Sequence, residues 1–117
     1  MKYIGVSGSR DFTDEKTLFE MLDKLHDTYK FITLVSGGAR GADSLAKKYA
    51  TLNHVNIIEY LPDYSKGPMA PMMRNGDIAN KCDILVACIV KSLPCNGTMD
   101  TVRKTGDLNK QIILIRS

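Results

Sequence analysis

The chain has no tryptophan, three cysteines and two histidines among its 117 residues. No apolar run approaches the ~18 residues that a membrane span needs. Cys82, Cys88 and Cys95 are odd in number and match neither a zinc knuckle nor a CxxC redox pair, and His26 and His54 lie far from them. Reduced cysteines are therefore expected, and neither a metal site nor a cofactor is. Neither sign of charge dominates: 16 Lys and Arg against 13 Asp and Glu give a net charge of +3. That falls short of the dense basic footprint of a duplex binder. Met1-Lys2-Tyr3-Ile4-Gly5-Val6 runs straight into strand-like sequence without a small-residue cleavage site, so a signal peptide is not expected and a cytoplasmic location is.

What is present is an alternation of short apolar runs and amphipathic stretches, with 44% hydrophobic and 25% charged residues. Lys2–Val6 reads as a buried parallel strand. Asp14–Tyr29 carries Leu18, Met21, Leu22, Leu25 and Tyr29 at helical spacing, with Thr13 or Asp14 as cap. Phe31–Val35 is a second strand, Ala42 to about Leu52 a second helix, and Val55–Leu61 a third strand. Pro62, Gly67, Pro68 and Pro71 mark a loop that leads into a helix from Pro71 to about Lys81. Ile84–Val90 is a fourth strand. A turn at Pro94–Gly97 precedes a helix from Thr98 to about Thr105, ended by Gly106, and Gln111–Ile115 is the fifth strand. The pattern predicts one α/β domain over residues 1–117, with a parallel sheet covered by helices on both faces.

Ligands of such sheets bind beyond the carboxyl ends of the strands. Three turns predicted at that rim have compositions suited to an anion. After strand one comes Ser7-Gly8-Ser9-Arg10-Asp11-Phe12: Gly8 permits close approach, Ser9 brings a hydroxyl and Arg10 a planar fork for phosphate oxygens. After strand two comes Ser36-Gly37-Gly38-Ala39-Arg40-Gly41-Ala42-Asp43, whose glycines expose amides before a helix N-terminus. Asp43 there either caps the helix or accepts hydrogen bonds from a ribose. After strand four, Asn96-Gly97-Thr98 repeats the combination. Arg74-Asn75, early in the third helix, reach toward the same crevice. Met69, Met72 and Met73 read as packing residues, as lining of an apolar base pocket or as a subunit contact. The second turn lacks the Gly-Lys-Ser/Thr of a Walker A loop, and strand two ends in glycines where a dinucleotide fold has an acidic residue.

Gly8-Ser9-Arg10-Asp11-Phe12, Val35-Ser36-Gly37-Gly38-Ala39-Arg40-Gly41-Ala42-Asp43, Arg74-Asn75 and Gly97-Thr98 together resemble the SLOG superfamily, which takes its name from the Smf/DprA DNA-processing proteins and the LOG phosphoribohydrolases. The similarity is to its small stand-alone YspA-type branch and runs through essentially the whole chain. It implies a Rossmann-like three-layer sandwich with strand order 3-2-1-4-5, a pocket for nucleotides or nucleotide-derived signals, and a homo-oligomer, dimer or tetramer. The hydrolases of the superfamily carry Pro-Gly-Gly-x-Gly-Thr-x-x-Glu. Here the glutamate position falls on Thr101, and one residue along a helix turns the neighbouring Asp100 by about 100° away from the same target.

The leading expectation is a module that binds a phosphate-bearing nucleotide-type small molecule through Gly8, Ser9, Arg10, Asp11, Ser36, Gly37, Gly38, Arg40, Gly41, Asp43, Arg74, Asn75, Gly97 and Thr98. The alternative is a nucleoside monophosphate N-glycosidase, in which Arg10, Arg40 and Arg74 hold the phosphate and Asp43 or Asp100 stabilises the sugar cation. A third reading, single-stranded nucleic-acid binding, has weak support. Tyr3, Phe12, Tyr29, Phe31, Tyr49, Tyr60 and Tyr64 fall mostly in predicted core elements, leaving few rings for stacking.

Overall fold

Apolar side chains concentrate on short strands flanked by amphipathic helices, and the sheet they build is parallel throughout. The structure, a computed structural model, describes residues 2–30, 32–90 and 96–116. The strands are β1 (Lys2–Gly8), β2 (Ile32–Ser36), β3 (Asn56–Glu59), β4 (Ile84–Ile89) and β5 (Gln111–Arg116). The helices are α1 (Glu15–Tyr29), α2 (Ala42–Asn53), α3 (Ala70–Lys81) and α4 (Asn96–Asp107). The sheet order is β3-β2-β1-β4-β5, as expected, with every pairing parallel. The order reverses between β1 and β4, which pair from Ile4 opposite Ile84 to Gly8 opposite Cys88.

Two apolar clusters form the layers on either side. Leu18, Leu22 and Leu25 of α1 and Ala46, Tyr49 and Ala50 of α2 meet Ile4, Val6, Leu34 and Val86 on one face. Ile78 of α3 and Val102 of α4 meet Val35, Leu85 and Ala87 on the other. Four consecutive buried residues in β1 and six in β4 show why these strands read as apolar runs: both faces are covered. Phe19 and Tyr49 pack edge to face with centroids 5.2 Å apart, tying α1 to α2. No helix among the described residues is long and apolar enough to cross a membrane.

Element ends depart from the expected boundaries in ways that matter for the site. β1 runs on through Ser7 and Gly8, and β2 through Ser36, because parallel partners continue past Val6 and Val35. β3 is shorter than expected, for Leu61 leaves the sheet, although Tyr60 N still donates to Ser36 O at 2.8 Å. α3 begins at Ala70, so Pro71 is its second residue. α4 takes in Gly97 and passes through Gly106. The left-handed residue beyond it is Asn109 (φ 58°), which tolerates that conformation well enough for glycine to be unnecessary. Phe31, Pro94 and Cys95 lie outside the described residues.

The α1–α2 layer gives a direct test of the packing. The buried Tyr49 hydroxyl donates to Asp23 Oδ1 at 2.7 Å. Tyr49→Phe keeps the ring contact and loses this bond, and the expected cost is about 1 kcal/mol in urea unfolding. A loss above ~3 kcal/mol, or none, would show that the two helices are held differently.

Candidate functional site

The carboxyl ends of β1 and β4 part at the point of strand reversal and leave a cavity of about 320 Å³. Its lining comes from four segments: Ser7–Asp11, Ala39 with Asp43, Pro71 with Arg74, Asn75 and Ile78, and Asn96–Thr98. Of the predicted residues, Gly8, Ser9, Arg10, Asp11, Asp43, Arg74, Asn75, Gly97 and Thr98 therefore converge. Ser36, Gly37, Gly38, Arg40 and Gly41 do not line the cavity. Sequence reasoning had not singled out Ala39, Pro71, Ile78 or, as a wall residue in its own right, Asn96. Pro71 and Ile78 share a helix face with Arg74 and Asn75, and that spacing could have found them.

The turn after β1 is fixed from several sides. Ser9 N donates to Cys88 O at 3.0 Å, and Ser9 Oγ accepts from Asp11 N at 3.1 Å. Gly8 is packed so tightly that a Cβ would stand 2.6 Å from both Ala42 Cβ and Cys88 O. The absent side chain lets α2 approach the end of β1. Arg10 is exposed at the rim, and among the described residues no carboxylate or carbonyl engages its guanidinium.

In this structure the amides of the glycine-rich turn face a carboxylate of the chain itself. Ala39 N donates to Asp43 Oδ2 at 3.1 Å, the Gly37 amide also favours the charged carboxylate, and Gly38 N donates to Ser36 Oγ at 3.4 Å. The anion held by this turn is the protein's own Asp43. Gly41 makes the geometry available: at φ 75° and ψ −128° only glycine is comfortable, and a Cβ would lie 2.4 Å from Ser9 O. Ser36, Gly37, Gly38 and Gly41 thus build the cavity wall from behind, and the exposed Arg40 does not line it.

Arg74 is likewise committed. Its Nη1 donates to Gly37 O at 2.6 Å and to Tyr60 O at 3.5 Å, and its Nε donates to Asn75 Oδ1 at 3.2 Å. Asn75 is buried and passes the connection on, donating to Gly97 O at 3.3 Å and Asp100 Oδ2 at 3.1 Å. Asp100 also pairs with Arg103 at 2.7 Å and Lys104 at 2.9 Å. It does not line the cavity. Burial raises its pKa, but bonds from Lys104, Asn75 and Arg103 outweigh that and hold it below the ordinary carboxylate value. Thr101, in the position of the hydrolases' glutamate, is fully buried and donates to Gly97 O at 3.2 Å.

Thr98, by contrast, is 5% exposed, borders the cavity, and among the described residues no hydrogen bond engages its hydroxyl. It lies in the first turn of α4, where backbone amides and the helix dipole favour negative charge. Asp43 sits opposite in character. Burial is the largest influence on it and raises its pKa; the Ala39 amide, the Arg74 charge and the Gly37 amide pull it down, Glu59 pushes it up, and the net shift is upward.

The raised Asp43 value has a stability signature. The unfolded carboxyl releases its proton near pH ~3.9, whereas the folded one holds it to higher pH. Asp43 therefore contributes stability that is complete below ~3.9 and is lost as pH rises through the folded value. Asp43→Asn lacks this titration, so the stability of the native chain relative to this variant should fall as pH is raised from ~4 toward neutrality. A relative stability that is flat or rising across that window, followed by chemical denaturation, would contradict the upward shift.

A match to the YspA, cpYpsA-related SLOG family covers residues 3–67, more than half of the chain. The Gene 61 protein of Mycobacterium phage D29 is 39% identical over 51 residues, which span 43% of this chain and 41% of that protein. Among solved structures, the fold is similar to that of DNA processing protein A from Streptococcus pneumoniae, with TM-score 0.80 and 17% identity over 100% of this chain and 51% of that one. It is also similar to DNA processing protein A from Helicobacter pylori, described for its single-stranded DNA binding mode, with TM-score 0.70 and 19% identity over 97% of this chain and 64% of that one. The chain thus spans less than two thirds of the length of each of these three proteins. The fold, the two glycine-bearing turns and the match over residues 3–67 place the chain in the YspA, cpYpsA-related SLOG family.

Proposed function

We propose that this protein binds a phosphate-bearing, nucleotide-type small molecule in the cavity between β1 and β4. The observation that carries the reading is that one cavity brings together two polar groups with no hydrogen-bond partner among the described residues: the Arg10 guanidinium at its rim and the hydroxyl of Thr98 at the α4 N-terminus. Phosphate oxygens fit Arg10 and the first turn of α4. Sugar hydroxyls fit Asp43, which retains acceptor capacity toward the cavity. A volume of about 320 Å³ lies at the small end of the ~300–1,000 Å³ typical of such sites, which suits the phosphate and sugar of a single nucleotide better than a dinucleotide. Binding without turnover is the favoured form, since Thr101 supplies no carboxylate and Asp100 is tied to Asn75, Arg103 and Lys104. The reading extends to a cytoplasmic location, supported by the free buried thiols of Cys82 and Cys88. It extends also to self-association, supported by the exposed Met69, Met72 and Met99.

Single-stranded nucleic-acid binding is the second reading, and the likeness to the Helicobacter pylori protein favours it. Against it, Phe12 and Tyr49 are buried, and Tyr64 is the one ring that stands well exposed among the described residues.

Calorimetry with AMP, CMP, ADP-ribose and a cyclic dinucleotide separates these readings. Submillimolar binding of a mononucleotide is expected, weakened about tenfold by Arg10→Ala and by Thr98→Val with little change in melting temperature. No heat at millimolar ligand, together with salt-sensitive retention of an oligonucleotide, would replace the first reading with the second.

A further inference from the structure

Helix α3 presents two adjacent stripes to two different hollows. Pro71, Asn75 and Ile78 face the main cavity, whereas Ala70, Met73 and Asp77 face a smaller one of about 150 Å³. Arg74 lines both, so the two hollows adjoin along its side chain. Its guanidinium is held in place by bonds to Gly37 O and Asn75 Oδ1.

The smaller hollow has an unusual make-up. Its apolar walls, Leu61 and Met73, are 67% and 49% exposed, an arrangement that leaves them in water for want of a partner. Its polar groups are Asp63, Asp77 and Lys66. Asp63 spends Oδ1 on Ser65 N and Oγ, at 3.1 and 2.6 Å, but no cation pairs with Asp77 among the described residues. Carboxylates accept hydrogen bonds and cannot donate them, so the polar rim favours an edge that carries N–H groups.

We infer that this hollow is the base subsite of the ligand whose phosphate and sugar occupy the main cavity, and that it selects a nucleobase bearing an exocyclic amine. The inference rests on the function proposed above. The base lies between Leu61 and Met73, passes beside the Arg74 plane, where an aromatic ring is favoured, and donates its amine to Asp77. Lys66 is placed to donate to a ring nitrogen or carbonyl on the same edge.

The experiment measures binding of AMP, CMP, UMP and ribose 5-phosphate to the native chain and to Asp77→Asn and Met73→Ala. AMP and CMP should bind about tenfold more tightly than UMP and ribose 5-phosphate, the worth of one charge-assisted hydrogen bond. Asp77→Asn should reduce the AMP-to-UMP ratio to less than about threefold, and Met73→Ala should lower the ratio of AMP to ribose 5-phosphate affinity. Equal binding of all four ligands, or ratios that survive both substitutions, overturns the subsite alone. Failure of all four to bind overturns the subsite and the function it rests on.

Discussion

The Asp43 carboxylate, gripped by the turn that precedes its own helix, is the constraint around which the site is organised. A buried carboxylate is costly unless several donors meet it. The Ala39 and Gly37 amides supply them, and Arg74 adds positive charge nearby. To point those amides inward the backbone must reverse at Gly41 in a conformation open only to glycine, directly over the Ser9 carbonyl. The first and second turns are thereby locked together, since Ala42 N also donates to Ser9 O. From there the chain of contacts runs through Gly37 O to Arg74, to Asn75, and on to Gly97 and Asp100 of α4.

This arrangement divides the polar side chains in and beside the cavity into two groups. Arg74 and Asp100 are members of the network, each bonded to protein partners. The Arg10 and Thr98 side chains have no hydrogen-bond partner among the described residues and border the same cavity. Under the proposed function, such a site would be rigid where the network holds it and open where the ligand bonds, which lowers the ordering cost of binding.

Much of the fold was legible because its signals are local. Buried parallel strands appear as apolar runs, and Asp14 announces the start of α1, where its Oδ1 accepts from Thr17 N at 3.2 Å. Strand order came from the resemblance rather than from periodicity, and it agrees with the structure. The convergence of the β1 turn, Arg74-Asn75 and Gly97-Thr98 on one cavity was also legible, because each follows a strand or opens a helix at the same rim. The direction of the second turn was not. A run of Ser36-Gly37-Gly38-Ala39-Arg40-Gly41 reads equally as a cradle for an outside anion or for an internal one, and only the path from Asp43 back to Ala39 decides between them. The Gly37 contact of Arg74 was hidden for a similar reason: residue type shows a fork suited to phosphate, whereas the carbonyl it bonds lies 37 positions away.

The most direct measurement is a nuclear magnetic resonance titration of the backbone amides with AMP. If Asp43 already fills the glycine-rich turn, the largest shifts fall on Ser9–Asp11 and Asn96–Thr98, and the amides of Gly37–Ala39 move little. Dominant shifts at Gly37–Ala39, with the α4 start silent, would mean that the turn releases Asp43 to take the ligand and would contradict this account.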